Sequence, residues 1–506
     1  MIAHCGPELP PHALLEARSR ILARFPIVEY RHVELRAADR DRLVRVAERL
    51  QRETSLSLNN AFGPAVSCGL DQASAVVIED HHAIRLFEIL GTQEYSYRAL
   101  LLAGEGDQAI VGAARSPAFE RYCQDVLCLG PVESLEPTAS GACDSLAVRC
   151  LKDRSVIDRL VGQARRAGTL NVIPYMGTGG VWALAGTVAQ RANVPVRVAA
   201  PPPQLTRCVN DKLWFSRLVE AVFGKQAVPD TRLAFGSATL ATQAATLAAR
   251  HPRVVVKLRD SASSKGNILL SAPDITGLPL RRVRELLLDV MQRAGWKASF
   301  PVLVSAWESP VLDSPSLQLW IPEASSGEPI VEGIFDQRFL SVAEQFTGAV
   351  PTTLPQQSQD RLAYDGMQLG FVLQRLGYFG RCSFDAIFVG RHLESARLHW
   401  IECNGRWGGV SIPMTLANRL LGDWRRQPFV IAQRGELDGP RRTLETVLEL
   451  LRGHLYSTSG EPQGAVILSP SPLEQGTGYG LLVFGTDVGA AADQANRIDT
   501  LLYGRS

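Results

Sequence analysis

Between Leu398 and Gly409 the chain reads LHWIECNGRWGG. Successive side chains of a strand point to opposite faces, so Glu402 and Asn404 leave the same face. A carboxylate and an amide together on an apolar strand, closed by a tight Gly408-Gly409 turn, are costly to bury unmatched. The preceding run FDAIFVG carries Asp385, and the two segments read as antiparallel strands joined through Gly390 to Ala396. Asp385, Glu402 and Asn404 then place three oxygen donors on one sheet face. Magnesium takes oxygen ligands and shares them with substrate phosphates, so this face is a candidate site for it. Arg406 continues the alternation, and its guanidinium can fork onto a carboxylate or a phosphoryl group. The plainer alternative is an edge strand with a Glu402–Arg406 salt bridge.

A second segment, VVVKLRDSASSKGN, runs from Val254 to Asn267. Lys257 closes three β-branched residues, and a lysine at the end of a buried strand must find an anion or reach water. Ser261, Ala262, Ser263, Ser264 and Gly266 are small, so backbone N–H groups and hydroxyls can come close to phosphate oxygens. Lys265 adds a point charge. The pattern G-x-x-x-x-G-K-[ST] is absent. Here the alternative is a plain hairpin connection after a lysine that reaches solvent.

At 506 residues the chain is too long for one ordinary core, and roughly two to four domains are expected. The net charge of +2 gives no broad positive field, which argues against nucleic acid as a partner. The nine cysteines are scattered and odd in number. No C-x-x-C pair occurs, and the Cys123–Cys128 spacing is not a zinc signature. Free thiols in a reducing cytoplasm are the expectation. The opening MIAHCGPELPPHALLEARSR lacks the apolar core of a signal peptide. No apolar run reaches the roughly 18 residues that a membrane-spanning helix needs, so no membrane association is expected.

Three units are expected along the chain. Residues 1–203 read as α/β: SAVVIE is a buried strand, and TLNVIPYMGTGG runs from a strand into a glycine turn and a helix. Val33 to Arg52 has helical spacing, with Leu43, Val46 and Leu50 on one face. Pro201-Pro202-Pro203 marks a stiff joint. Residues 204–435 mix helices with antiparallel strands, an α+β texture, and residues 436–506 read as a small C-terminal α+β unit. GTGGVWALAG misses G-x-G-x-x-G because Trp182 stands at the third glycine. It reads as a strand-to-helix turn or a wall of a substrate cleft, not a dinucleotide site. EQGTGYG, from Glu474 to Gly480, reads as a hairpin turn or a mobile lid. Trp307 and Trp407 read as packing groups. No Ser-His-Asp or Cys-His arrangement can be assembled from local motifs.

In order and separation these segments resemble the ATP-grasp superfamily over about residues 205–425. The resemblance implies ATP and Mg2+, with Mn2+ as an alternative ion. Lys212, at the head of the helix in NDKLWF, and Lys257 fall to the phosphates, over which Ser261, Ser263, Ser264, Lys265 and Gly266 close. The strand from Pro301 to Glu308 becomes the hinge. There the backbone of Val304 and Ala306 holds the adenine edge and Glu308 the ribose hydroxyls, although Ser305 and Ala306 stand where many members carry a carboxylate. Asp385, Glu402 and Asn404 are the metal ligands, and Arg406, Lys257 and Lys265 the catalytic residues. The flanks, on NVIPYMGTGG and GAVILSPSPLEQGTGYGLLVFG, resemble peptide ligases of the pheganomycin type with a pre-ATP-grasp domain. The implied activity is carboxylate–amine ligation through an acyl phosphate, on amino-acid or peptide substrates of natural-product biosynthesis, by a chain that can form a homodimer. Carboxylase or thioester-forming ATP-grasp chemistry and a non-catalytic nucleotide-binding module are the alternatives, and no biotinyl-lysine or coenzyme A signature supports the first.

Overall fold

The computed structural model describes residues 26–54, 56, 61–84, 95–112, 114–138, 144–257, 267–296, 299–340, 345–458 and 460–504. Among them, short apolar runs alternate with helices in the first part of the chain and build a parallel sheet. Its strands are β1 (Val66–Cys68), β2 (Ala75–Ile78), β3 (Gln108–Ile110), β4 (Glu133–Leu135), β5 (Leu170–Pro174) and β6 (Val196–Val198), in the order β1-β6-β5-β2-β3-β4. Each pairing is parallel. Parallel sheets are covered on both faces, which is why β2 (AVVI) is buried along its whole length. Val76, Ile78 and Val172 pack against Ile157, Leu160 and Leu184 of helices Arg154–Ala167 and Gly179–Ala192. Ala75, Val77 and Ile173 face a second core that also holds Phe429 and Val483. Glycine is required at Gly177, the turn after β5, because a Cβ there would meet the Pro201 carbonyl oxygen at 2.4 Å.

A small antiparallel sheet follows, with β7 (Thr231–Ala234), β8 (Arg253–Lys257), β9 (Asn267–Ser271) and β10 (Val302–Ala306) in the order β7-β10-β8-β9. Helices Ser237–Ala248 and Leu280–Arg293 cover it through Leu240, Ala244, Val283 and Leu287.

The remaining strands form one large antiparallel sheet: β11 (Val311–Asp313), β12 (Pro315–Ile321), β13 (Ile330–Leu340), β14 (Gln345–Pro351), β15 (Gly380–Val389), β16 (Arg397–Asn404), β17 (Phe429–Arg434), β18 (Gly464–Ile467) and β19 (Tyr479–Phe484). Their order is β11-β15-β12-β13-β14-β17-β19-β18, with β16 also paired to β15. Helices Lys212–Phe223 and Gln356–Arg375 bury Phe215, Leu362 and Leu369 against Phe384 and Trp400. Phe215 stacks on Phe384 with centroids 5.7 Å apart.

Two groupings differ from the sequence reading. The helix Ala37–Thr54, assigned above to the first α/β unit, lies instead against the large sheet. Leu43, Val46 and Leu50 share a core with Leu362 and Phe384, and Tyr30 N–H donates to Val331 O at 2.8 Å. The segment from residue 436, read as a unit of its own, adds β18 and β19 to the large sheet through β17. Nor is Glu474–Gly480 a hairpin: helix Ser471–Gln475 ends there on Gly476, which caps it at φ +73. Among the described residues no helix is long and apolar enough to cross a membrane, and the described cysteines, such as Cys68 and Cys403, are free thiols.

Candidate functional site

A cavity of ≈ 570 Å³ opens where the three sheets meet. Its floor is the face of β15 and β16 that carries the alternating polar residues. The register pairs Asp385 with Glu402 and Ser383 with Asn404, so these side chains share one face. A bulge produces this arrangement. Leu398 and Trp400 point into the core, and unbroken alternation would send Glu402 and Asn404 after them. The pairing slips between Asp385 and Ala386, leaving Ile401 as one extra residue on β16. Beyond the slip Cys403 takes the core position, and Glu402 and Asn404 turn to the cavity.

Asp385 accepts hydrogen bonds from Ser316 Oγ at 2.6 Å and from Asn404 Nδ2 at 2.9 Å. Gln318 Nε2 in turn donates to Ser316 Oγ at 2.9 Å. Burial, then the neighbouring Glu402 charge, pushes the Asp385 carboxyl up to about 7. Burial acts on Glu402 too, but Lys212, Arg406 and Lys257 outweigh it and hold Glu402 below its ordinary value. Lys212 heads its helix behind the N-cap Asp211, and its Nζ lies 3.2 Å from Glu402 Oε2. The ion pair considered from the sequence, Glu402 to Arg406, is therefore replaced by Glu402 to Lys212. Arg406 lies just past the end of β16; one of its Nη atoms donates to Asn210 Oδ1, and its Nε is buried without a hydrogen-bond partner. Lys257 ends β8 and lines the same cavity, pushed down to about 8 by burial and then by Lys212.

The hinge residues divide. Ala306 and Glu308 line the cavity. The Ala306 N–H is already donated to Asp230 O at 2.8 Å, and Glu308 Oε1 lies 3.4 Å from His399 Nδ1. That contact, then Coulomb attraction to His399 and Arg397, holds the Glu308 carboxyl below its ordinary value against the opposing effect of burial. Val304 is corrected: it sits fully buried in the middle strand of the small sheet, paired to Arg232 on one side and Val256 on the other, and its backbone does not reach the cavity. Ser261, Ser263, Ser264, Lys265 and Gly266 lie outside the described residues.

Sequence reasoning missed four participants: Ser316, Gln318, Asn210 and His399. The first two carried a legible signal, because SLQLW places polar side chains two apart in an apolar strand. Asn210 and His399 carried none, since each acts on a partner brought up by the fold.

Could these residues hold a metal? Among the described residues no three His, Cys, Asp or Glu side chains gather as a complete set. The floor offers two carboxylates and one amide, and burial with the neighbouring Glu402 charge disfavours the ionised Asp385 carboxylate. A hard cation that completes its shell with water and phosphate oxygens fits this donor set.

Comparison with known proteins agrees with this architecture. Residues 96–190 match the family described as the Pre ATP-grasp domain. An N5-carboxyaminoimidazole synthetase from Staphylococcus aureus superposes with a TM-score of 0.50 at 10% identity, over 85% of this chain and 99% of that one. A biotin carboxylase–β,γ-ATP complex from Campylobacter jejuni gives a TM-score of 0.50 at 12% identity, over 85% of this chain and 91% of that one. No match was found among curated proteins. The chain has an ATP-grasp fold, and its residues 96–190 match the pre-ATP-grasp domain family.

Proposed function

We propose that this protein is an ATP-dependent carboxylate–amine ligase. One observation carries the reading: Lys212 and Lys257 line a single cavity together with Asp385, Glu402 and Asn404, where the bulge at Ile401 has turned Glu402 and Asn404 away from the core. Cations for a triphosphate and oxygen donors for its metal thus sit together in one cavity. Asp385, Glu402 and Asn404 would hold Mg2+, or Mn2+, which when bound neutralises charge on the phosphates.

The chain's own groups perform the rest. Lys212 and Lys257 hold the phosphate tail, and Ala306 and Glu308 border the nucleoside. The unpartnered Arg406 Nε points to a role in holding the acid substrate. With both substrates fixed, the carboxylate oxygen attacks the γ-phosphorus and the bond to the β-phosphate oxygen breaks, giving an acyl phosphate and ADP. An amine then attacks the acyl carbon and expels inorganic phosphate, losing a proton to leave an amide. The site's contribution is positioning, charge stabilisation and exclusion of water from the acyl phosphate.

We infer amino acids or short peptides as substrates, in natural-product biosynthesis. The cavity lining supports this, since it includes Gln337 and Gln433 as well as Phe339 and Phe346. Neutral amides with aromatic rings suit a peptide's own amides and side chains. The test is phosphate release across a panel of amino acids and dipeptides, with and without an amine. Amine-dependent ADP formation that Glu402→Gln abolishes, with unchanged circular dichroism, is expected. ADP formation independent of any amine, or full turnover by Glu402→Gln, contradicts the reading.

A further inference from the structure

The parallel sheet also contributes to the cavity, through a feature that the reaction outlined above does not use. Its strand order reverses direction between two neighbours: β2, β3 and β4 proceed to one side, whereas β5 and β6 proceed to the other. In open α/β sheets the crevice at the carboxyl ends of two such strands is where ligands bind. Here those ends stay paired, with Tyr175 N–H donating to Ile78 O at 2.8 Å. The residues that follow β2 and β5 border this crevice.

Arg98 reaches into it. Its Nη2 lies 2.5 Å from Glu79 Oε1 and 3.2 Å from His81 Nε2, and its guanidinium lies over the rings of Tyr95 and Tyr175 at 4.9 and 5.7 Å. Arg98 is 8% exposed, and its Nε has no hydrogen-bond partner. Ile84, Tyr95, Arg98 and Tyr175 all line the central cavity. The crevice adjoins the reactive end, because Trp407 N–H donates to Tyr175 O at 3.0 Å and Trp407 follows Arg406.

The polarity of the cluster decides what it can take. Glu79 is 3% exposed at its side chain and shares Oε1 between Arg98 and His81, so its charge is turned inward. Burial keeps the His81 imidazole below its ordinary pKa, against the opposing effect of Glu79. Arg98 lines the cavity with its guanidinium fixed in orientation by a carboxylate and two rings, and its buried Nε still lacks an acceptor. A buried ion pair adds little stability over an apolar pair of the same volume. A preorganised cation in a dry wall does, however, hold an anion tightly.

We propose that the switch-point crevice of the parallel sheet binds a non-reacting carboxylate of an amino-acid or peptide substrate, with Arg98 as its specificity-determining residue. The inference rests on the ligase reading for the substrate class. The carboxylate has two sources: the amine substrate's own α-carboxylate, or a second carboxylate on the acid substrate.

Calorimetric binding in the presence of Mg2+ and a non-hydrolysable ATP analogue separates them. One arm compares L-amino acids with their amides, and the other compares glutamyl with glutaminyl dipeptides. In one arm the wild-type protein is expected to bind the carboxylate form about 10- to 100-fold more tightly, the range of a charge-assisted hydrogen-bonded pair. Arg98→Gln is expected to bring that preference below about threefold by weakening only the carboxylate form. Arg98→Lys, which keeps charge and loses the fork, is expected to fall between and carries the test if Arg98→Gln does not fold. The inference is overturned if the wild-type protein shows no preference in either arm, or if the variants weaken both forms equally. Loss of analogue binding by the wild-type protein would instead sink the ligase reading, since the analogue is titrated first and on its own.

Discussion

Replacing Asp385 by Asn is expected to stabilise the metal-free protein and destroy its activity. In the folded chain burial and Glu402 raise the Asp385 carboxyl from 3.8 to about 7. The unfolded chain therefore releases this proton near pH 4, whereas the folded chain keeps it to near pH 7. Across that window the unfolded state binds fewer protons, so stability falls as pH rises and levels off above about 7. At about 1.4 kcal/mol per pKa unit the full penalty is at most about 4 kcal/mol, and water in the open cavity reduces it to about 2 kcal/mol. Asparagine removes the charge while its amide oxygen still accepts from Ser316 Oγ. Urea unfolding at pH 8 in EDTA should show Asp385→Asn more stable than wild type by about 2 kcal/mol, with the gain shrinking toward pH 5. The same variant should release no ADP and gain no thermal stability from Mg-ATP. A variant less stable than wild type at pH 8 without divalent ions, or one that retains ADP release, refutes the reasoning.

Lys257, pushed down to about 8 in the free protein, loses its ammonium as pH rises through that value. Nucleotide affinity measured by titration should therefore weaken by about tenfold between pH 7 and 9.5. Lys257→Arg should flatten the profile, and a flat wild-type profile contradicts the assignment. Glu332 and Arg381 form a buried ion pair at 2.5 Å, with Arg381 over the Trp407 ring at 4.8 Å. Glu332→Gln strands the guanidinium and should cost about 3–5 kcal/mol in urea unfolding, most of it recovered by the double variant Glu332→Leu/Arg381→Met.

The site was partly legible because part of it is local. The two-residue spacing of Glu402 and Asn404 and that of the polar residues Ser316 and Gln318 are properties of single strands, and alternation alone assigns each pair to one face. Alternation cannot foresee the bulge at Ile401. That slip arises from the pairing of β16 with β15, and it alone turns Glu402 outward while Trp400 stays in. Nor can it foresee that Lys212 takes Glu402, or that Asn210 takes Arg406 from 196 positions away. The same limit explains the two misplaced groupings. The stripe of Leu43, Val46 and Leu50 identifies an amphipathic helix but not which sheet it covers. The apolar strands near the C-terminus do not say which edge they join. Arg98 escaped notice because neither its buried pairing with Glu79 nor its place at a strand reversal is written in neighbouring residues.

On the proposed function, the polar face of β15 and β16 holds the metal of a nucleoside triphosphate. A crystal structure with Mg2+ and a non-hydrolysable ATP analogue measures it directly. The expected result is a metal ion about 2.0–2.1 Å from carboxylate oxygens of Asp385 and Glu402, bridged to phosphate oxygens. Lys257 should lie within hydrogen-bonding distance of the same phosphates. A nucleotide bound elsewhere, or an ion that leaves both carboxylates uncoordinated, contradicts the account.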